Sequence, residues 1–218
     1  MLSAIVKRFN CPGCSVQTAL SLSAPLYITC PACGITYHLD KENNTQESAL
    51  KKRVLQPIQT IKLGATGNYL DKPFQIIGHI RSINNNAISN EWLMKFENGE
   101  EKWLVENAFS YFVFDAEGLV ISYDLIRGKK VGGMITIKDQ QYTIYDLAKQ
   151  IEFQMDGQIP EDSFNDQPYF KYELIHSPSG EILSLCIFDK ETIEAFKGRP
   201  VDITTLNLST LTEFKTWI

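Results

Sequence analysis

Four of the five cysteines stand in two C-P-x-C pairs, Cys11 with Cys14 and Cys30 with Cys33, separated by fifteen residues. Paired thiolates at this spacing are ligands for a tetrahedral metal ion. Each C-x-x-C segment closes into a knuckle that points both sulfurs at one centre. Pro12 and Pro31 preset φ at the first corner, and Gly13 and Gly34 relieve crowding where amides turn toward sulfur. Zn–S bonds of about 2.3 Å then fit without strain. Four thiolates close the coordination sphere, so the pattern predicts one structural Zn2+ rather than a catalytic ion, which needs an open position. Iron is the competing metal, because tetrahedral S4 sites also suit rubredoxin-like centres. No neighbouring feature points to an electron-transfer partner, and zinc is favoured.

Other candidates are weaker. His38 lies five residues past Cys33, but four cysteines already complete the ligand set. His79 and His176 fall beside predicted strand ends; as a pair they would be a catalytic candidate, and solvated or hydrogen-bonded histidines are the plainer reading. Glu97, Glu100 and Glu101 cluster at a predicted hairpin tip, where charges are ordinarily solvated. Gly128-Lys129-Lys130 and Gly132-Gly133 have the composition of a phosphate loop without its G-x-x-x-x-G-K-[ST] order or its following helix. Cys186, inside the apolar run ILSLCIF, reads as core; a reactive thiol would need adjoining positive charge. No catalytic residue is predicted.

Composition agrees with a globular chain of 218 residues, 44% apolar and 22% charged. No apolar run reaches the ~18 residues of a membrane span. The first residues lack the order of a signal peptide, since Lys7-Arg8 follows the short apolar run. Cysteine pairs kept for metal suit a reducing compartment, and a cytoplasmic protein without membrane insertion is expected. The net charge of −5 is uneven: residues 1–53 carry six Lys/Arg against three Asp/Glu, and the rest carry fifteen against twenty-three. Four thiolates and one Zn2+ would lower the first segment from +3 to +1. A surface that grips phosphates should stay clearly basic, so nucleic acid is the alternative partner and a protein partner the favoured one.

The elements that must position these residues are strands. Residues 1–40 read as a zinc ribbon, 41–56 as a linker with two turns of helix from Gln46 ended by Pro57, and 57–218 as an all-β domain. In WLMKFENGEEKWLV, Asn98-Gly99 predicts a two-residue hairpin turn, which sets Met94 opposite Trp103, Trp92 opposite Val105 and Lys95 opposite Lys102. Strands follow at Pro73–Ile80, Tyr111–Phe114, Leu119–Tyr123, Met134–Lys138 and Tyr142–Leu147, and FKYELIHSPSGEILSLCIF predicts a second hairpin with its tip at 177–180. Two related barrel- or roll-like units, about 60–125 and 134–202, are suggested by a shared order of strand, aromatic-rich strand, Gly-Glu turn and a return ending in Phe-Asp (Phe114-Asp115, Phe188-Asp189). One short helix is expected over Lys190–Lys197, capped by Asp189 and Gly198. The acidic, breaker-rich stretch 154–168 reads as a mobile loop and a candidate contact surface.

These pieces resemble a known family. F-x-C-P-x-C, then L-G-A-x-G-x-Y (Leu63–Tyr69), F-x-I-I-G-x-I (Phe74–Ile80), W-L-x-x-F-x-x-G-x-x-x-W-L-x-E (Trp92–Glu106) and G-E-I-L-S-L…F-K-G-R-P-V (Gly180–Val201) are similar to the bacterial domain-of-unknown-function family 4178. The resemblance covers most of residues 57–202 and implies a β-rich domain with an accompanying ribbon, in a setting of membrane-stress and polyamine-related genes. It brings no established activity, cofactor or catalytic residue. The expectation is therefore a non-enzymatic zinc protein that acts as a protein-interaction or scaffolding module, with nucleic-acid binding and an enzyme site in the β domain as alternatives.

Overall fold

Alternating apolar and polar residues along most of the chain build strands, and the computed structural model describes residues 7–40, 45–47, 51–52, 61–83, 88–107, 110–115, 118–150, 152–160, 168–188 and 193–209. In chain order the strands are β1 Arg8–Asn10, β2 Gln17–Ala19, β3 Pro25–Thr29, β4 Thr36–Leu39, β5 Thr45–Glu47, β6 Lys51–Lys52, β7 Thr66–Tyr69, β8 Lys72–Ile83 and β9 Ile88–Phe96. They continue with β10 Glu101–Asn107, β11 Ser110–Asp115, β12 Leu119–Ile121, β13 Met134–Ile137, β14 Gln140–Gln150, β15 Glu152–Pro160, β16 Tyr169–His176, β17 Glu181–Ile187 and β18 Ile193–Val201. Two 3-10 turns, Tyr123–Leu125 and Ile203–Leu206, complete the described elements. The chain is mainly β, as its patterning predicts. No helix among the described residues is long and apolar enough to cross a membrane.

The body is a run of antiparallel neighbours, β7-β8-β9-β10-β11-β18-β17-β16-β14-β13. Its two halves meet where β11 pairs with β18, from Tyr111↔Val201 to Phe114↔Gly198. The halves match in detail. The β7–β8 turn holds Leu70 and Asp71 at φ 50 and 60, and the β13–β14 turn holds Lys138 and Asp139 at φ 47 and 65. Long strands β8 and β14 each bulge just after an isoleucine, Ile76 and Ile144. Each of these isoleucines is gripped by a preceding loop: Gly64 N–H and Ala65 C=O bond Ile76, and Gly132 N–H and Gly133 C=O bond Ile144. Each half ends in a 3-10 turn whose N-cap side chain, Ser122 or Asp202, accepts a backbone N–H two residues on.

The registers make Glu91 the counterpart of Lys171, Trp103 of Ser184, Val105 of Cys186 and Phe114 of Phe196. One face of both halves contributes to a shared core with Leu93, Trp103, Phe114, Tyr169, Ile182 and Cys186. The opposite faces form two separate cores. Each is closed by the other half's 3-10 turn: Ile126 packs with Ile144 and Leu174, and Leu206 packs with Ile76 and Trp92.

Several local expectations change. The first hairpin turns through Glu97-Asn98-Gly99, with Gly99 at φ 88 and Gly99 N–H bonded to Phe96 C=O. This three-residue loop shifts the register by one, to Leu93↔Trp103, Trp92↔Leu104 and Lys95↔Glu101. Trp92 and Trp103 consequently enter different cores, and both faces of the hairpin are buried. The expected helix at 190–197 is a strand from Ile193 onward: Ile193 and Ala195 face one core while Phe196 packs against the shared one, which is period two rather than period 3.6. Residues 189–192 lie outside the described set. The helix expected from Gln46 is replaced at Thr45–Glu47 by a strand paired with β4, and at Lys51–Lys52 by one parallel to β15. The stretch 154–160, read as a loop, is the core strand β15, with Met155 and Ile159 fully buried. Positions 161–167 lie outside the described residues. Phe114 and Phe196, rather than Phe188, hold matching positions in the two halves.

Candidate metal centre

The ribbon presents its cysteines from two hairpin ends. The first knuckle is closed by Cys11 N–H to Val16 C=O at 3.0 Å and Ser15 N–H to Cys11 C=O at 2.8 Å; the second by Cys30 N–H to Ile35 C=O at 2.9 Å and Gly34 N–H to Cys30 C=O at 2.8 Å. The left-handed position after the second cysteine is Gly34 (φ 73) in one knuckle and Ser15 (φ 61) in the other. Gly13 has a different role from the one expected: a Cβ there would press on Tyr37 Oη and Ile35 Cδ1.

The four Sγ atoms lie within 4.8 Å of one another, with Cys11–Cys33 and Cys14–Cys30 both 3.6 Å apart. A tetrahedron with metal–sulfur bonds of about 2.3 Å has edges of about 3.8 Å, so the sulfurs present fit one such ion. Cys11 and Cys30 are buried; Cys14 and Cys33 are exposed. Tyr37 Oη is 3.7 Å from Cys11 Sγ, and toward a thiolate only the tyrosine can donate. Burial opposes the Cys11 thiolate, but the Tyr37 hydroxyl and the amides of Cys14 and Gly13 outweigh it and bring the thiol down to about 6. Two of its neighbours resist ionising beside it: against a backbone N–H bond that favours each thiolate, burial and the neighbouring cysteines push Cys14 up to about 12 and raise Cys33. A divalent cation would relieve that competition. Phe9 packs on Tyr37 beside the site, at 5.6 Å between ring centroids.

The ribbon is joined to the body by main-chain pairing. β3 runs antiparallel to β15, with Ile28 opposite Gln158 and Tyr27 opposite Ile159. Gln158 Oε1 accepts from Ser21 N–H at 2.7 Å and Leu22 N–H at 3.1 Å, and its Nε2 donates to Ala19 C=O at 3.3 Å. The other edge of β15 pairs with β8, where Gly157 faces Gly78. Both positions require glycine, because a Cβ on Gly78 would strike Gln158 O and one on Gly157 would strike Ile77 O.

The other sequence candidates do not converge. His38 packs edge-on against Tyr27 at 5.3 Å and is not among the clustered ligands. His79 is buried, stacked on Trp92 at 5.2 Å, with Nε2 3.2 Å from Asn90 Oδ1; burial holds it neutral down to about 3. His176 sits at the second hairpin tip with Nδ1 2.6 Å from Ser179 Oγ. Glu100 is ion-paired to Lys72 at 2.9 Å and Lys102 at 3.1 Å, and Glu101 to Lys95 at 2.6 Å. The amide of Gly132 and the carbonyl of Gly133 are committed to Ile144. Lys7 Nζ bonds Ser23 C=O and Arg8 bonds Gln17, so both basic residues engage the ribbon itself.

One constellation escaped the sequence reading. Lys171 is buried in the shared core, 3.2 Å from Glu91 and 3.2 Å from Glu173, which accepts from Ser184 Oγ at 3.2 Å. Cys186, buried as expected, stands directly opposite Lys171 across the β16–β17 pair, and burial pushes its thiol up to about 12. Alternation carried a signal: Lys171 and Glu173 share strand parity with the inward Tyr169. Glu91 comes from β9, separated from β16 by four strands in the sheet order, so the sheet must curl for the pair to meet.

No family model matches the chain. No curated protein and no solved structure matches it either.

Proposed function

We propose that this chain is a non-enzymatic zinc protein, a scaffold whose ribbon and adjoining acidic β surface contact a protein partner. The observation that supports it is the closed set of four sulfurs on a ribbon hydrogen-bonded into the main sheet. An ion held by four thiolates has no position left for substrate, so its contribution is to the fold. Zinc rather than iron is favoured by the absence of any electron-transfer feature in the sequence. The proposed division is a ribbon at 1–40, a linker at 41–56 and a β domain at 57–218 with two related units; the matched turns, bulges and caps of the two halves support the last part.

Membership of family 4178, with its bacterial stress-related setting and a cytoplasmic location, belongs to the same proposal. Its support is the motif residues, among them Gly78 and Gly198, which lie where a Cβ would meet Gln158 O and the Phe114 ring.

Affinity capture from the native cell, with wild-type protein and with a Lys7→Glu/Arg8→Glu ribbon surface variant, tests the reading. A stoichiometric protein partner lost with the variant is expected. Capture of nucleic acid, weakening steeply with salt, would overturn it.

A further inference from the structure

The shared core contains a pocket where the two halves meet. Its cavity measures about 40 Å3, and about 540 Å3 when the open mouth is included. The smaller figure is roughly three water positions. Trp103, Phe114, Phe188 and Phe196 form aromatic walls around Tyr169 and Lys171, and Glu91 and Glu194 stand with them. Phe188 and Phe196 are half-buried, whereas Trp103, Phe114 and Tyr169 are buried.

The space exists because matching positions differ in size. Trp103 and Val105 in one half correspond to the smaller Ser184 and Cys186 in the other. A core selected only for stability would fill that gap with apolar side chains and would omit a buried ion pair, which seldom stabilises relative to hydrophobic packing. This core does neither.

Its polar groups are also incompletely used. Tyr169 is 8% exposed and Trp103 5%, yet neither the Tyr169 hydroxyl nor the Trp103 indole N–H has a hydrogen-bond partner among the described residues. Neither belongs to the polar atoms sealed from solvent, so each opens on accessible space. Lys171 has three donors and two acceptors, Glu91 and Glu173. Three residues lining one aromatic-walled pocket, Tyr169, Trp103 and Lys171, thus each carry a donor without a partner among the described residues.

We propose that this pocket binds a small uncharged aromatic molecule bearing a carbonyl or hydroxyl oxygen, whose oxygen enters first to accept from Tyr169 and Trp103 beside Lys171 while its ring lies against Phe188 and Phe196. An anion would meet Glu91, Glu173 and Glu194, and a cation would meet Lys171. The proposal is independent of the metal site.

The test uses the full chain and follows the Trp103 indole N–H by NMR, assigned with Trp103→Phe, during titration with benzamide, toluene, benzoate and benzylamine. Benzamide is expected to shift that resonance with millimolar affinity, ahead of the other three. Tyr169→Phe, which keeps the ring, should weaken benzamide by about tenfold. Cys186→Leu, which fills the cavity, should abolish the shift; if that variant does not fold, Tyr169→Phe still decides. An unmoved Trp103 resonance, a stronger response to benzoate or benzylamine, equal response to toluene, or undiminished binding by Tyr169→Phe would each overturn the proposal.

Discussion

The half of the body built on β7–β11 and the half built on β13, β14 and β16–β18 share a strand plan but differ along one edge. In the first, the long strand β8 has β15 beside its second part, and β15 brings the ribbon with it. In the second, the matching part of β14 pairs with β16 on one side and has no strand along its other edge among the described residues. The bulge residues record the difference: Gly78 admits the neighbouring backbone, while its counterpart Asp146 is exposed. A shared plan is therefore set by turns, bulges and caps, and the special role of one half by the few side chains that admit or refuse a neighbour.

The largest expected effect breaks that difference. Gly78→Ala forces a Cβ into Gln158 O, and denaturant unfolding should show a loss of about 3 kcal/mol, whereas Asp146→Ala should change stability by less than about 0.5 kcal/mol. The reciprocal plugs come next. Leu206→Ala and Ile126→Ala each empty a filled site in the opposite half, and each should cost about 2–4 kcal/mol. Equal costs sharpen the symmetry; a silent member of the pair would break it.

A buried histidine gives one half a pH dependence. The position matching His79 is Leu147. Burial lowers His79 from 6.5 to about 3, so between those values the unfolded chain takes up a proton that the folded chain refuses. Stability therefore falls as pH drops below about 6.5, by up to about 1.4 kcal/mol per unit, and His79→Leu should remove that slope in acid-range melting curves.

The smallest effect belongs to the hairpin tips. Glu100 is held down to about 2 by Lys72, with Lys102 and Asn98 adding to it, while the other tip carries Ser177-Pro178-Ser179-Gly180. A lowered carboxylate contributes stability above its unfolded value of 4.5 that is lost as pH falls toward 2. Glu100→Gln should flatten that acid limb slightly, and high salt should shrink the difference.

The sequence made the cysteine set and the β class legible because both rest on local signals, ligand spacing and period two. It misread what depends on partners at long range. Lys190–Lys197 has helical spacing at Ile193 and Phe196, yet from Ile193 the chain fills the place between β17 and β11 inside the sheet. Residues 154–160, the first part of the acidic stretch 154–168, read as a loop until β8 and β3 are placed on their two sides. Asn98-Gly99 signals a turn correctly, but whether Glu97 joins it is a one-residue matter that reverses every face of the hairpin. Lys171 and Glu91 are ordinary surface charges in sequence; only the curled sheet brings the half-buried Glu91 onto the buried Lys171.

The four ribbon cysteines lie close enough to hold one metal ion, and the ribbon that carries them is paired to the body through β3 and β15. Elemental analysis of the full chain purified without chelator, alongside the Cys11→Ser/Cys30→Ser variant, tests this most directly. About one zinc per wild-type chain, lost in the variant together with the dispersed amide resonances of β3 and β15, is the predicted result. A zinc ratio well below one in folded wild-type protein, or iron in its place, would contradict it.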